Sequence, residues 1–405
     1  MTLGVKQKTQ LHCPVTLDQV QRSGGFGSKA ISPQKIFRIA LLICSILAGL
    51  LIVEVTLRIV DRPAPVSSGW RSLADKSELN QLYFRGQPIE YTKDDFVIVL
   101  LGDSSVEATA CGYEWMPERR LQFYLNSNGK RVKVVTLGTS GYGQDQELLA
   151  LQEYLGKYRA DMVLLWFALP NDVWNNLFPT HFPTDGTPKP TYWLDQKGQL
   201  RGPSEGWGQL IRETPRLKLT LLWRNLRGWS RDRAWETGYP PAYVPMTQTN
   251  DPVKDDWQRR WDNNTRSMRD ENLGTEKSHF AVFLTPRSQR TQYGLDLTRK
   301  LLEEINHLTQ SHGGQFAMFT NDSPREETDV LEGTHVLKGK YYKTSMAQYL
   351  SNLDYVSQGF KFYSLPITEA QWKVGPDNTH LNEHAMDQFM KGLAGRVEIM
   401  VPAQK

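Results

Sequence analysis

The apolar run Phe96–Leu101 breaks off at Gly102 and is followed at once by Asp103-Ser104-Ser105. A short, uninterrupted apolar run bounded by glycine predicts a strand buried on both faces, as in a parallel sheet covered by helices on each side. A serine just past the C-terminal end of such a strand stands where open α/β sheets carry their chemistry. The pattern recurs. Val132–Leu137 ends in Gly138-Thr139-Ser140-Gly141-Tyr142-Gly143 and leads into the helical stretch Gln144–Tyr158. Asp161–Ala168 ends in Leu169-Pro170-Asn171-Asp172. Gln315–Thr320 and Lys361–Ser364 read as the fourth and fifth core strands, and His279–Leu284 as a further short one. Leu295–Leu308 has helical spacing, and Asn382–Val397 reads as a closing amphipathic helix. The expected fold is a three-layer α/β/α sandwich with a five-stranded parallel sheet.

Far downstream lies Asp377-Asn378-Thr379-His380. Ser104, Asp377 and His380 form a candidate acyl-transfer triad. Serine is a poor nucleophile until a base takes its proton. His380 would be that base and then the acid for the leaving group, with Asp377 fixing its tautomer. Each residue also has a plain structural role open to it. Ser104 could cap a helix, Gly141 could serve a turn, and Asn171-Asp172 could cap a helix from about Val173. Asp377 and His380 could sit in a solvated turn. Asp103 is expected to support its loop rather than react, and His384 to be structural.

Gly102-Asp103-Ser104, Gly141, Asn171-Asp172 and Asp377-x-x-His380, in that order after successive strands, resemble the SGNH (GDSL-like) hydrolase superfamily. The resemblance runs from Phe96 to Val397 around a long insertion. The chain departs from the family in carrying Thr136 where Asn is usual and Leu169 where Gly is usual. The resemblance implies a flavodoxin-like sandwich and an oxyanion hole made by the backbone N–H groups of Ser104 and Gly141 and the side-chain amide of Asn171. It also implies an esterase or O-acyltransferase without cofactor or metal, acting on an acylated small molecule or carbohydrate of the cell envelope or exopolysaccharide, the acyl group being short, such as O-acetyl. A non-catalytic glycan-binding protein on the same fold is the remaining alternative.

The N-terminal region predicts a different element. Ile39–Val53 is apolar apart from Ser45 and Gly49, and a helix over 36–60 supplies the roughly twenty residues that one membrane span needs. Glu54 and Arg58 stand four apart near its end and can pair. The length of the run and of the tail before it favours an uncleaved anchor over a signal peptide. Lys6, Lys8, Arg22, Lys29, Lys35 and Arg38 precede the span, a bias that puts the tail inside and the catalytic domain outside the cytoplasm. Residues 1–35 read as a flexible tail, 61–94 as a linker with a stiff Pro63–Ser68 exit and a lead-in, and 95–401 as the catalytic domain.

Charge and motifs exclude several classes. The net charge of +4 is spread along the chain without the basic cluster of a nucleic-acid binder. Gly138–Gly143 lacks the lysine of a phosphate loop. The eight histidines are dispersed, so no metal site is expected. Cys13, Cys44 and Cys111 allow no disulfide within the catalytic domain, and Cys111 is expected to be packed rather than reactive. The insertion over 173–277 holds Trp174, Trp193, Trp207, Trp223, Trp229, Trp235, Trp257 and Trp261. These either pin a cap onto the sheet or form an aromatic lid or collar near the site.

Overall fold

A computed structural model describes residues 32–60, 74–178, 189–205, 239–263, 273–322, 331–368, 371–375 and 378–402. The predicted tail through residue 31, the exit linker Pro63–Ser68, Trp207, Trp223, Trp229, Trp235 and Asp377 lie outside the described residues. The chain divides into an N-terminal unit and a body that begins at Val60.

The N-terminal unit contributes one helix, α1 (Pro33–Val60). Proline opens it, where its fixed φ helps and its missing N–H costs nothing. Its Pro33–Leu57 portion is long and apolar enough to cross a membrane, its most apolar 18 residues having a mean hydropathy of 2.7. The hydroxyls of Ser45 and Thr56 donate to the carbonyls of Leu41 and Ile52, each at 2.8 Å. These polar groups are thus satisfied inside the helix, as a lipid environment requires. The side chain of Arg58 lies outside the description, and with it the expected pair with Glu54.

The body runs β1 (Phe96–Gly102), α2 (Ser104–Glu107), α3 (Pro117–Ser127), β2 (Val132–Gly138), α4 (Gln144–Leu155), β3 (Met162–Trp166) and α5 (Leu169–Leu177). The hairpin β4 (Pro190–Leu194) and β5 (Leu200–Glu205) follows, then β6 (Val253–Lys254), α6 (Asp256–Asp262) and α7 (Gln289–Ser311). The chain closes with β7 (Gln315–Asp322), β8 (Gly333–Leu337), β9 (Lys340–Thr344), α8 (Met346–Ser357), β10 (Phe362–Pro366), β11 (Lys373–Gly375), β12 (Asn378–Leu381) and α9 (Glu383–Val397).

Five strands form one parallel sheet in the order β10-β7-β3-β1-β2. Alternation along β1 explains why its run is unbroken by polar residues. Val97, Val99 and Leu101 enter one core with residues of α4, α5 and α7, while Ile98 and Leu100 enter the other with residues of α3 and α9. Each such buried side chain contributes roughly 1.5–3 kcal/mol. The result is the expected α/β fold with a five-stranded parallel sheet flanked by helices. The strand order reverses between β1 and β3, and open sheets of this kind form a crevice at the carboxyl ends of the strands there. Ser104 and Asn171 follow those two strands.

Two parts differ from the sequence-based expectation. His279–Phe283 is a short 3-10 helix, not a strand. Ser278 caps it by accepting the N–H of Phe280 at 3.1 Å, and Ala281, Val282 and Phe283 are all buried. Consecutive burial without alternation suits a turn of helix pressed into a corner rather than a strand. The unanticipated β8–β9 hairpin pairs with β6 into a three-stranded sheet. Its core is Trp257, fully buried, with His335 stacked on it at 4.2 Å. His335 lies between Asp256 and Thr344, each 3.0 Å away. Burial lowers the His335 pKa, so this histidine is a core polar group.

The segment before β1 is wired into the body. Asn80 donates to the carbonyl of Thr136 at 2.9 Å, and Gln87 donates to that of Val134 at 2.7 Å. Glu118 accepts from the backbone of Gln87 and from the hydroxyl of Thr136. Burial pushes its carboxyl from the ordinary 4.5 up to about 7. The insertion is tethered too. Lys189, at the start of the β4–β5 hairpin, pairs with Asp145 at 2.6 Å, and both side chains are almost wholly buried. Its ammonium also donates to the carbonyl of Asn175 at 2.6 Å.

Candidate active site

The nucleophile candidate is seated by two glycines. Gly102 and Gly138 are register partners at the ends of β1 and β2. Val106 of α2 rests over both. A Cβ on Gly102 would meet its Cγ2 at 2.5 Å, and one on Gly138 would meet its Cγ1 at 2.6 Å and the Gly102 carbonyl at 2.8 Å. Any side chain at either position would push the Ser104 helix off the sheet. Asp103 caps that helix by accepting the N–H of Ser105 at 2.8 Å, the supporting role expected of it. The far end of α2 is closed by Arg85, which donates to the carbonyls of Glu107 (3.2 Å), Ala108 (2.5 Å) and Cys111 (3.0 Å). Glu78 balances the guanidinium at 2.7 Å.

Glu107 joins this serine to the second polar turn. Its carboxylate accepts both the N–H (2.7 Å) and the hydroxyl (2.5 Å) of Ser140. Gly141 follows with φ of 78°, a left-handed conformation that only glycine adopts without strain. The backbone N–H groups of Ser104 and Gly141 donate to no acceptor among the described residues. Two such open donors beside a nucleophile are what a developing oxyanion needs.

Asn171 lies in the first turn of α5, so its side chain comes back over the end of the sheet. Its Nδ2 donates to Asp103 Oδ2, and its Oδ1 lies 3.2 Å from Nε2 of His279. Asp172 closes the same turn, accepting the N–H of Ala168 at 2.9 Å. Behind these groups, burial pushes the carboxyls of Asp172 and Glu147 well up, and that of Asp103 up as well. Desolvation raises all three; neighbouring carboxylates reinforce it for Asp172 and Glu147, whereas at Asp103 the N–H of Ser105, His380 and the Asn171 amide oppose it and favour the carboxylate.

His380 arrives on the two-stranded β11–β12 element. Its Nε2 lies 2.8 Å from Ser104 Oγ, bridging 276 residues of sequence. Its Nδ1 lies 2.6 Å from Asn378 Oδ1. With the amide oxygen accepting from Nδ1–H, the Nε2 lone pair faces the serine hydroxyl, the tautomer that a general base requires. The two halves are stitched nearby by Gly112 N–H to Glu383 (2.8 Å) and by the Cys111 thiol to the carbonyl of Leu381 (3.4 Å). Burial pushes the Cys111 thiol to about 11, so it is packed rather than reactive, as expected.

Of the residues singled out from sequence, Ser104 and His380 meet directly, and Asn171 bonds Asp103, the residue before Ser104. Arg85, Glu107, Gly138, His279 and Asn378 were not singled out. Gly138 carried a readable signal, since it ends a strand in register with Gly102. Arg85 and His279 carried none, because their partners lie far away in sequence. Trp174 and Trp257 are buried and Trp193 and Trp261 half-buried, so these four tryptophans pack into the body.

No family model matches the chain, and no curated protein matches it. Among solved structures it is similar to the esterase EstA from Pseudoalteromonas sp., with 9% identity over 76% of this chain and 98% of that one and a TM-score of 0.33. It is also similar to TesA, with 9% identity over 75% of this chain and 99% of that one and a TM-score of 0.35. A third is a Clostridium thermocellum family 3 carbohydrate esterase, with 12% identity over 76% of this chain and 100% of that one and a TM-score of 0.33. The likeness is one of fold, and loose at these scores. The chemistry is read from the residues themselves.

Proposed function

We propose that this chain is a membrane-anchored serine esterase that hydrolyses or transfers a short O-acyl group through an acyl-Ser104 intermediate. The observation that carries the reading is Ser104 Oγ at 2.8 Å from His380 Nε2, beside two open backbone donors. His380 takes the proton as Ser104 attacks the ester carbonyl. The N–H groups of Ser104 and Gly141 and the amide of Asn171 receive the oxyanion. His380 then returns the proton to the departing alcohol, and water or a second hydroxyl repeats the cycle in reverse. Asp377 is assigned to steady the imidazolium together with Asn378. The substrate class, an acetylated carbohydrate outside the cytoplasm, follows from the superfamily resemblance and from the apolar helix α1.

The test uses the full chain in detergent beside its Ser104→Ala variant. A fluorophosphonate probe is expected to label only the unmodified chain, and only that chain is expected to turn over acetyl nitrophenyl ester. Equal behaviour of the two folded proteins would remove Ser104 from the chemistry. Appearance of the acyl group on an added sugar acceptor would make the enzyme a transferase.

A further inference from the structure

The insertion begins at Val173, one residue before Trp174, and returns to the core just before His279. These two rings meet edge to face, with centroids 3.9 Å apart at 85°. The two ends of the insertion therefore close on each other, and they do so beside Asn171, one helical turn before Trp174 on α5. His279 Nε2 lies 3.2 Å from Asn171 Oδ1. On the other side, Asn171 Nδ2 donates to Asp103, whose second oxygen is held by the N–H of Ser105 at 2.8 Å.

An amide has one donor end and one acceptor end, so its neighbours decide which way it points. Turned by half a rotation, it would set its oxygen against the Asp103 carboxylate and its NH2 against an imidazole N–H. In the observed orientation one Nδ2 hydrogen serves Asp103 and the second is left over. We infer that His279 is a positioning residue: by donating from Nε2 to Asn171 Oδ1 it holds the amide so that the remaining N–H serves the oxyanion forming at Ser104. This rests on the acyl-transfer reading above. It gives the insertion a task in the reaction, because loosening its closing clasp would free the amide to turn.

The experiment is a double-mutant cycle on the full chain in detergent, reading kcat and KM for acetyl nitrophenyl ester and the rate of fluorophosphonate labelling. Asn171→Ala is expected to lower kcat about 100- to 1,000-fold, the usual cost of one lost oxyanion donor. His279→Leu is expected to lower kcat and labelling roughly 10- to 100-fold with KM within about twofold, and to cost almost nothing further in the Asn171→Ala background. His279→Gln keeps an N–H donor and is expected to restore kcat to within about threefold of the unmodified chain. A His279→Leu loss that adds in full to that of Asn171→Ala, or no loss, overturns the inference while leaving the esterase reading intact. Where His279→Leu does not fold, a His279→Gln kcat as low as that of Asn171→Ala overturns it. Labelling that Ser104→Ala does not abolish removes the esterase reading and the inference together.

Discussion

Ser104 and His380 meet at 2.8 Å, yet they reach that point from supports of different kinds. Ser104 sits on a four-residue helix at the end of a central strand, with two glycines beneath it and a buried arginine across its far end. His380 sits on a strand paired only with a three-residue partner, whose register shifts between Lys373 and Gly375. Its surroundings are half-exposed. The proposed nucleophile is therefore part of the core, while the proposed base is hung beside it. Changes around Ser104 should cost stability and activity together, and changes around His380 should cost activity alone.

The largest expected effect lies on the base side. If Asp377 is the triad carboxylate proposed above, Asp377→Ala is expected to lower kcat by about 10³- to 10⁴-fold with unchanged thermal unfolding. A parallel loss of stability would show that the base loop is built into the core after all. Next comes Arg85→Ala, which leaves three buried carbonyls and Glu78 without their donor. It is expected to cost about 4 kcal/mol in denaturant unfolding, together with most of the activity. Retained activity in a destabilised Arg85→Ala protein would uncouple the nucleophile from its support.

Glu118 tests the same support through pH. Its folded-state pKa lies above its unfolded value, so the folded protein binds this proton more tightly. The stabilising contribution is complete below about 4.5 and is lost as pH rises to about 7. The full span is roughly 3 kcal/mol. Glu118→Gln is expected to flatten this decline in unfolding curves taken from pH 5 to 7.5, and an unchanged slope would exclude Glu118 as its source. Gly138→Ala should lower kcat about 100-fold by displacing Val106 and the serine above it, measured with KM on the same ester. Asn378→Ala should have the smallest effect, about tenfold on kcat with no change in unfolding. A loss as large as that of Asp377→Ala would make the amide the main support of His380 Nδ1.

The parts of this molecule that could be read in advance are those in which a local pattern is set by burial. Strands β1, β2, β3 and β7 are buried between the helices, so Phe96–Leu101 and its counterparts stand out as apolar runs, whereas the edge strand β10 is mostly exposed or half-exposed. The glycines and Ser104 follow because strand ends at a sheet crevice restrict what fits. The β8–β9 hairpin was legible in principle. Lys338 and Gly339, with φ of 51° and 70°, form its two-residue turn, and a residue–glycine pair between two short strands signals such a turn. Its strands are short and half polar, so they gave no periodic signal. Arg85 and His279 could not be read, because each acts on a residue brought near only by the finished fold. His279–Phe283 misled for the opposite reason: its apolar run is dense, but a serine cap turns it into a helix.

The sheet also sets an order in time. A chain is made and folds from its N-terminal end, so β1, Ser104, β2 and β3 exist long before the residues that close the sheet. His380 comes after the last strand of that sheet, 276 positions behind the serine it serves. Until those late residues dock, the Ser104 hydroxyl lacks its His380 partner, the base in the proposed mechanism. On the proposed acyl-transfer reading, a nascent or C-terminally shortened chain is thereby chemically silent, and its centre forms only when the late residues dock.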